Sequence, residues 1–165
     1  MSKEKLALKE KWPTVEEVDS SGAVTSKIVR GDSEYKKLSK NVNSDIKFKL
    51  EEIGNDDDQR MNTNLSTCID TLAQKVKTEW VNAGKPLYKL RVTEAYDGDD
   101  EHGAKSIHYE GRAADINLWD IKNSKVDTSH LDRLAGLATE SDFDWVFYED
   151  ILHVHVSCKK DNLIA

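Results

Sequence analysis

The sequence lacks any apolar run long enough to cross a membrane. Nowhere in its 165 residues does an apolar stretch approach the ~20 residues that a transmembrane helix needs. Residues 1–5, MSKEK, are not followed by an apolar stretch either, so we expect no signal peptide in this sequence. If the native protein is secreted, the sequence is therefore expected to be an excised domain.

Cysteine is also scarce, with only Cys68 and Cys158 in the chain. A small secreted domain held together by disulfides would carry more cysteines than this. Because free cysteine packs as a small hydrophobic residue, two buried thiols are favoured over one disulfide. The disulfide stays open as the alternative.

Basic residues are in deficit, since 24 Lys and Arg stand against 31 Asp and Glu and the net charge is −7. This balance argues against nucleic acid, heparin-like polyanions and anionic membranes as main partners, because each of them favours a basic face. We therefore expect neither nucleic-acid nor heparan sulfate binding. The acids are concentrated in two clusters, at residues 51–58 and 97–101.

A length of 165 residues suits one domain with its own core. Apolar residues at three-and-four spacing from Leu65 to Trp80 predict an amphipathic helix that Gly84 and Pro86 end. Ser129 and Asp132 resemble a capping box, which predicts the start of a second helix.

Alternating apolar residues predict strands before, between and after these helices. The main predicted strands are 87–96, 113–119, 145–148 and 152–156, and shorter ones are predicted at 27–29 and 46–50. The last two main strands are separated by so few residues that they predict a hairpin. Mixed rather than strictly alternating helices and strands favour an α+β fold.

Histidines and carboxylates are concentrated in two short segments. In a strand over 152–156, His153 and His155 point to the same face because successive side chains alternate. His108 and Asp115 bracket a turn that contains a glycine, which is one way to bring further ligands to the same place. Imidazole and carboxylate suit Zn²⁺. A histidine beside an apolar strand is nevertheless more often an ordinary core or surface residue, so both interpretations stay open on these residues alone.

Longer motifs carry a resemblance to a known family. They are LRVTE (90–94), SIHYEGRAAD (106–115) and FDWVFYE (143–149). Residues 33–38 and 43–49, which precede them, also follow the order of the family's segments. Together they resemble the amino-terminal signalling domain of Hedgehog proteins, from about Pro13 to Ser157. The resemblance implies a small mixed β-sheet packed with about two main α-helices. We expect residues 1–35 to be an extended arm and residues 36–165 to be the single domain.

The resemblance also implies a zinc site. The residues that match the family's three zinc ligands are His108, Asp115 and His155, which leaves the fourth position for water. Glu149 matches a carboxylate beside that water, and His153 and His102 match histidines that line the cleft. The same pattern is similar to that of zinc D-Ala-D-Ala carboxypeptidases.

The acidic clusters lack EF-hand spacing, so on their own they suit a solvated face as well as a Ca²⁺ site. The resemblance adds that six carboxylates match a two-calcium site of the family: Glu51, Glu52, Asp57, Glu94, Asp97 and Asp99. The stretch between Asp57 and Cys68 is longer here than in typical members. Asp56 and Asp58 are therefore alternatives to Asp57.

The function that the resemblance implies is recognition of other proteins, outside the cell or at its surface. By analogy, the expected partners are a Patched-like receptor or a fibronectin-type co-receptor. One alternative is a zinc peptidase with Glu149 as general base and with His153 and His102 assisting. Another is an adhesion module whose metals hold the fold. The chain departs from the family in having neither the amino-terminal cysteine that receives a fatty acid nor a Lys/Arg cluster.

Overall fold

The structure, a computed structural model, describes residues 15–49, 56–81, 88–98 and 105–160. Its strands are β1 Ser39–Lys40, β2 Ile46–Phe48, β3 Arg60–Met61, β4 Tyr88–Glu94, β5 Ala113–Asp120, β6 Lys125–Asp127, β7 Trp145–Tyr148 and β8 Val154–Ser157. Its helices are α1 Val15–Ser21, α2 Ser33–Lys36, α3 Thr63–Val76 and α4 Leu131–Thr139. A π-helical turn, Lys77–Val81, continues α3, and 3₁₀ turns cover Asp57–Gln59 and Ile107–Glu110.

The main sheet is mixed, with the strand order β2-β4-β5-β8-β7 and β6 paired to the end of β5. The edge strand β2 runs parallel to β4, whereas the other pairs are antiparallel. β1 and β3 form a separate two-stranded sheet. With two long helices beside this sheet, the predicted α+β class is confirmed, and so is the β7–β8 hairpin.

Helices α3 and α4 pack on one face of the main sheet and form the core with it. The strand residues that enter this core alternate along the chain, as the period of two requires. They include Leu90 and Val92 of β4, Ala114, Ile116 and Leu118 of β5, and Val154 and Val156 of β8. The residues between them, Asp115, Asn117, His155 and Ser157, therefore point to the opposite face.

Helix α1 lies on that opposite, polar face, where Ser21 Oγ lies 2.8 Å from Ser157 Oγ and Glu17 is buried. An extended arm is expected over residues 1–35. Within the part that the structure describes, residues 15–35, Val15–Ser21 is helical and Ser33–Lys36 forms a single helical turn. Polar residues in α1 find buried partners on the sheet, which the weak local pattern does not indicate.

The strand predicted at residues 27–29 is absent. Ile28 instead donates its N–H to the carbonyl of Tyr109 (3.0 Å) and accepts a hydrogen bond from the Tyr96 hydroxyl (2.7 Å). Its backbone groups are thus satisfied without a neighbouring strand.

The capping box predicted for the second helix is wrong. Helix α4 begins at Leu131 after His130, which makes no side-chain cap. The Ser129 hydroxyl donates to Asp127 (2.8 Å), and this local bond competes with capping. Gly84 and Pro86, which were expected to end the first helix, lie outside the described residues.

Candidate metal centre

His108 is held by a tight turn that precedes β5. It lies in the 3₁₀ turn Ile107–Glu110, and its backbone N–H donates to Ser106 Oγ (3.2 Å). Gly111 closes the turn with φ = 65°, and a Cβ there would lie 2.8 Å from Leu38 Cδ2. The position therefore needs glycine both for its backbone conformation and for the close approach of Leu38.

The orientation of the His108 ring is set by the end of β4. The register between β4 and β5 shifts between Val92 and Glu94, as at a β-bulge, and the chain then presents the carbonyl of Ala95. Nδ1 of His108 lies 2.8 Å from this carbonyl oxygen and donates to it. The other ring nitrogen of His108, Nε2, faces Asp115 Oδ1 at 3.6 Å.

Asp115 and His155 are direct neighbours across the β5–β8 pair. Because paired residues on one face of a sheet lie close together, Nδ1 of His155 comes within 3.0 Å of Asp115 Oδ1. His108 and His155 also meet edge to face, with 5.3 Å between ring centroids. Ligand atoms of His108, Asp115 and His155 all lie within 4.8 Å of one another.

Glu17 of α1 is a member of the cluster that the sequence pattern does not reveal. Its Oε2 lies 2.5 Å from Nε2 of His155 and accepts a hydrogen bond from Ser157 Oγ at 2.7 Å. The carboxylate thus occupies the far side of the His155 ring and leaves Nδ1 for the cluster. Carboxylates commonly orient metal-binding histidines in this way. In the sequence, Glu17 lies in a polar, weakly patterned segment, and nothing there marks it as part of a site.

Glu149 and His153 lie in the turn between β7 and β8 and form a second group with Asp115. Nε2 of His153 is 2.7 Å from Glu149 Oε2 and 3.6 Å from Asp115 Oδ1. Asp150 fixes the turn, because its carboxylate accepts the backbone N–H groups of Leu152 (2.7 Å) and His153 (3.1 Å). The strand predicted over 152–156 begins only at Val154, so His153 reaches Asp115 from the turn and His155 from the strand.

The charges of this buried cluster are mutually dependent. Burial alone would raise the pKa of Asp115, but the neighbouring imidazoles of His108, His155 and His153 hold it well below its usual range. Burial would lower the pKa of His155, yet Glu17 and Asp115 raise it well above its ordinary value. For His153, burial is likewise outweighed by Glu149 and Asp115, and the pKa is about 9. The carboxylates therefore favour positive charge at the centre of the cluster.

The donor set fits a zinc ion. Two imidazole nitrogens and one carboxylate oxygen converge, and each imidazole has its other nitrogen engaged by an acceptor outside the trio, Ala95 for His108 and Glu17 for His155. A divalent cation also supplies the positive charge that the cluster favours. His102, which was expected to line the cleft, lies outside the described residues.

Of the six expected calcium ligands, Glu51, Glu52 and Asp99 lie outside the described residues. Asp57 and Asp97 are buried, and a Cβ at Gly98 would lie 2.6 Å from Asp57 Oδ2. Asp57 is thus adjacent to the 97–98 segment and forms a salt bridge with Arg30. Within the described ranges, Asp57, Glu94 and Asp97 do not join in a trio like those around Asp115.

Asp56, the first alternative to Asp57, has other partners. Its carboxylate accepts from Arg60 at 2.9 and 3.1 Å and lies 3.4 Å from the ammonium group of Lys40. These cations hold the pKa of Asp56 below its usual range, with the Arg60 hydrogen bond the largest cause. Asp57 is therefore the better placed of the two beside Gly98.

Substituting Glu17 by Gln is expected to weaken zinc binding by roughly 10–100-fold while the fold is retained, because an amide orients His155 less strongly than a carboxylate. The affinity is measured by competition with a chromogenic zinc chelator. Glu16→Gln is the matched control, since Glu16 is the exposed neighbour in α1. Equal affinities in the two variants would remove Glu17 from the site.

Comparison with known proteins gives one family over nearly the whole chain. A family profile described as the Hedgehog amino-terminal signalling domain matches residues 2–157. Over 162 residues the chain is 41% identical to the Sonic hedgehog protein of Danio rerio and 40% identical to the Indian hedgehog protein of Gallus gallus, covering 97% of this chain. Protein hedgehog of Drosophila hydei is 38% identical over 159 residues.

The chain spans only about a third of the length of these relatives, at 36%, 37% and 31% respectively. In the part of the chain that the structure describes, no helix combines the length and apolarity of a membrane span.

Proposed function

Because this chain belongs to the Hedgehog amino-terminal signalling domain family, we propose that it is an extracellular signalling domain that acts by binding other proteins. The match over nearly the whole chain carries this proposal. By analogy, the partner is a Patched-like receptor or a fibronectin-type co-receptor. His108, Asp115 and His155 would hold one zinc ion, which stabilises the surface that the partner contacts.

The surroundings of the cluster support recognition. Tyr148, Ile151 and Leu152 are exposed around the β7–β8 turn, and Ile151 and Leu152 have 62% and 59% of their surface accessible. Exposed apolar side chains grouped on one surface are typical of protein interaction sites. This group lies next to Glu149 and His153, so a partner that binds there would also cover the cleft.

A zinc peptidase is the second candidate, and the buried Glu149–His153 pair favours it. Zinc, when bound, would supply a Lewis acid at this place. Glu149 would take up a proton as general base, and His153 would hold one at Nε2 beside it. The hydrogen bond between Glu149 Oε2 and His153 Nε2 makes proton transfer between these two side chains geometrically feasible.

Exchange of Glu149 for Gln separates the two functions. We expect wild type and Glu149→Gln to bind a purified Patched ectodomain equally, because the substitution leaves the exposed apolar group unchanged. We expect neither protein to hydrolyse a D-Ala-D-Ala peptide. Binding is measured by surface plasmon resonance and hydrolysis by release of D-Ala.

Leu152→Asp serves as the matched variant for binding. It places a charge in the apolar group and should weaken binding at least about tenfold, with unchanged zinc content. Turnover by wild type that disappears in Glu149→Gln would overturn the preference for recognition. Full binding by Leu152→Asp would exclude this surface as the interface.

Calcium binding beside the zinc site is a further part of the proposal. It rests on the match of the six carboxylates to the family pattern and on the position of Asp57 beside Gly98. The Arg30 guanidinium already neutralises part of the Asp57 charge. Calcium would then compete with or displace this ion pair.

Asp97→Asn is expected to lower calcium affinity by roughly tenfold or more, because one buried charged oxygen donor is lost. Isothermal titration with Ca²⁺ measures the affinity. Asp56→Asn is the control and should titrate like wild type, since its partners are Arg60 and Lys40. If wild type takes up no calcium, the calcium part of the proposal is wrong.

A further inference from the structure

The two cysteines meet in the fold although they are far apart in sequence. Cys68 lies in α3 and is half-buried, whereas Cys158 follows β8 directly and is buried, and both are thiols. The two side chains are neighbours, and each thiol shifts the pKa of the other. This contact lies at the edge of the core, since Cys158 belongs to the core cluster and Cys68 packs against it.

The backbone on both sides of the contact is fixed. One turn before Cys68, Asn64 donates from Nδ2 to the carbonyl of Lys159 (3.1 Å), so α3 is tied to the residue after Cys158. Cys158 itself exchanges two hydrogen bonds with Arg112: its N–H donates to the Arg112 carbonyl (2.9 Å), and its carbonyl accepts from Nη1 (3.1 Å). The native fold therefore holds the segments that carry the two thiols side by side.

We propose that Cys68 and Cys158 form an intramolecular disulfide when the protein meets an oxidising small-molecule disulfide. The bond would join α3 to the end of β8, the strand that carries His155. It goes beyond the proposed signalling function and does not depend on it. A covalent link across so long a loop stabilises mainly by restricting the unfolded chain.

The two thiols are suited to successive steps of thiol–disulfide exchange. The neighbouring Cys158 thiol lowers the pKa of Cys68, whereas the neighbouring Cys68 thiol, together with burial, raises the pKa of Cys158. Cys68 is also the more accessible, so its thiolate attacks oxidised glutathione, forming a mixed disulfide and releasing one glutathione thiolate.

Cys158 then gives up its proton and attacks Cys68 Sγ, which releases the second glutathione. In total, two protein thiols and one oxidised glutathione yield one protein disulfide and two reduced glutathione molecules. The two electrons that the protein loses are those that the glutathione disulfide gains, so no other oxidant is needed.

In the test, the folded 165-residue chain is incubated with oxidised glutathione and then denatured. The remaining free thiols are counted by labelling with a maleimide. We expect both thiols to disappear, the mass to fall by about two hydrogens, and a non-reducing peptide map to contain one Cys68–Cys158 cross-link. The melting temperature of the oxidised protein should exceed that of the reduced protein by roughly 5–15 °C.

A matched variant moves the first thiol by one position. Thr67 is exposed in α3, so the double variant Cys68→Ser with Thr67→Cys should carry glutathione or dimerise instead of closing the internal bond. Wild-type protein that accumulates as two separate glutathione adducts, as intermolecular dimers, or with both thiols intact would overturn the proposal. Because the wild-type protein alone distinguishes the internal disulfide from these other outcomes, the test does not depend on the folding of a variant.

Discussion

Zinc affinity is expected to fall at least about 100-fold when Asp115 is replaced by Asn, because the carboxylate is the charged donor shared by all the histidines of the cluster. Oδ1 of Asp115 faces His155 at 3.0 Å and both His108 and His153 at 3.6 Å. The amide keeps the shape of the side chain and removes its charge. Loss of the metal should therefore occur without loss of the fold.

Thermal stability should follow the metal. A ligand present at roughly 1,000 times its Kd stabilises the folded state by about 4 kcal/mol, so wild type should melt higher with zinc and the variant should not respond. Metal content is measured by mass spectrometry and melting by calorimetry. Asp120→Asn is the control, because Asp120 ends the same strand but binds Asn123 instead of the cluster. Wild-type zinc content in Asp115→Asn would show that the ligand set is wrong.

Replacement of Arg112 by Met is expected to cost about 3–5 kcal/mol in the free energy of unfolding, since it breaks a buried ion pair from one side. The guanidinium is 1% exposed and donates to Glu110 Oε1 at 2.8 Å. It also donates to four carbonyl oxygens, which belong to Ser21, Gly22, Ala23 and Cys158. Methionine would leave all of these acceptors without the guanidinium.

The same change should weaken zinc binding indirectly. Ser21 is the last residue of α1, the helix that carries Glu17 to His155, so Arg112 secures that helix from its carboxyl end. Urea unfolding with zinc and with a chelator separates the two effects. Arg133→Met is the control, because its ion pair with Glu79 is exposed and should contribute at most about 1 kcal/mol.

A double variant identifies the origin of the loss. Lys160 still pairs with Glu110 in Arg112→Met. If the loss of the second cation beside Glu110, Arg112, is responsible, adding Glu110→Gln to Arg112→Met should recover part of the stability. A loss below about 1 kcal/mol in Arg112→Met would contradict the role given to the guanidinium. If the double variant is less stable than Arg112→Met, the loss comes instead from the missing contacts with the four carbonyl oxygens.

The sequence predicted the elements with strong local patterns and failed where partners are distant. The three-and-four spacing from Leu65 located α3, and the alternation in residues 113–119 located β5, because one face of each is buried in the core. Helix α1 has no comparable apolar face. Its buried residues are Glu17 and Ser21, whose partners lie more than 130 positions away in β8, and local patterns carry no such information.

Except for Glu17, the histidines and carboxylates of the centre were predicted from residue types and from the family resemblance, both of which are properties of the sequence. The strand spacing predicted one shared face for His153 and His155, but His153 lies in the turn before β8 and reaches Asp115 from there. Only the tertiary structure decided which nitrogen of each ring faces Asp115, because this follows from the carbonyl of Ala95 beside His108 and from Glu17 beside His155. The contact between Cys68 and Cys158 was likewise decided by the packing of α3 against the end of β8, since hydrogen bonds and burial that join distant segments exist only once the chain has folded.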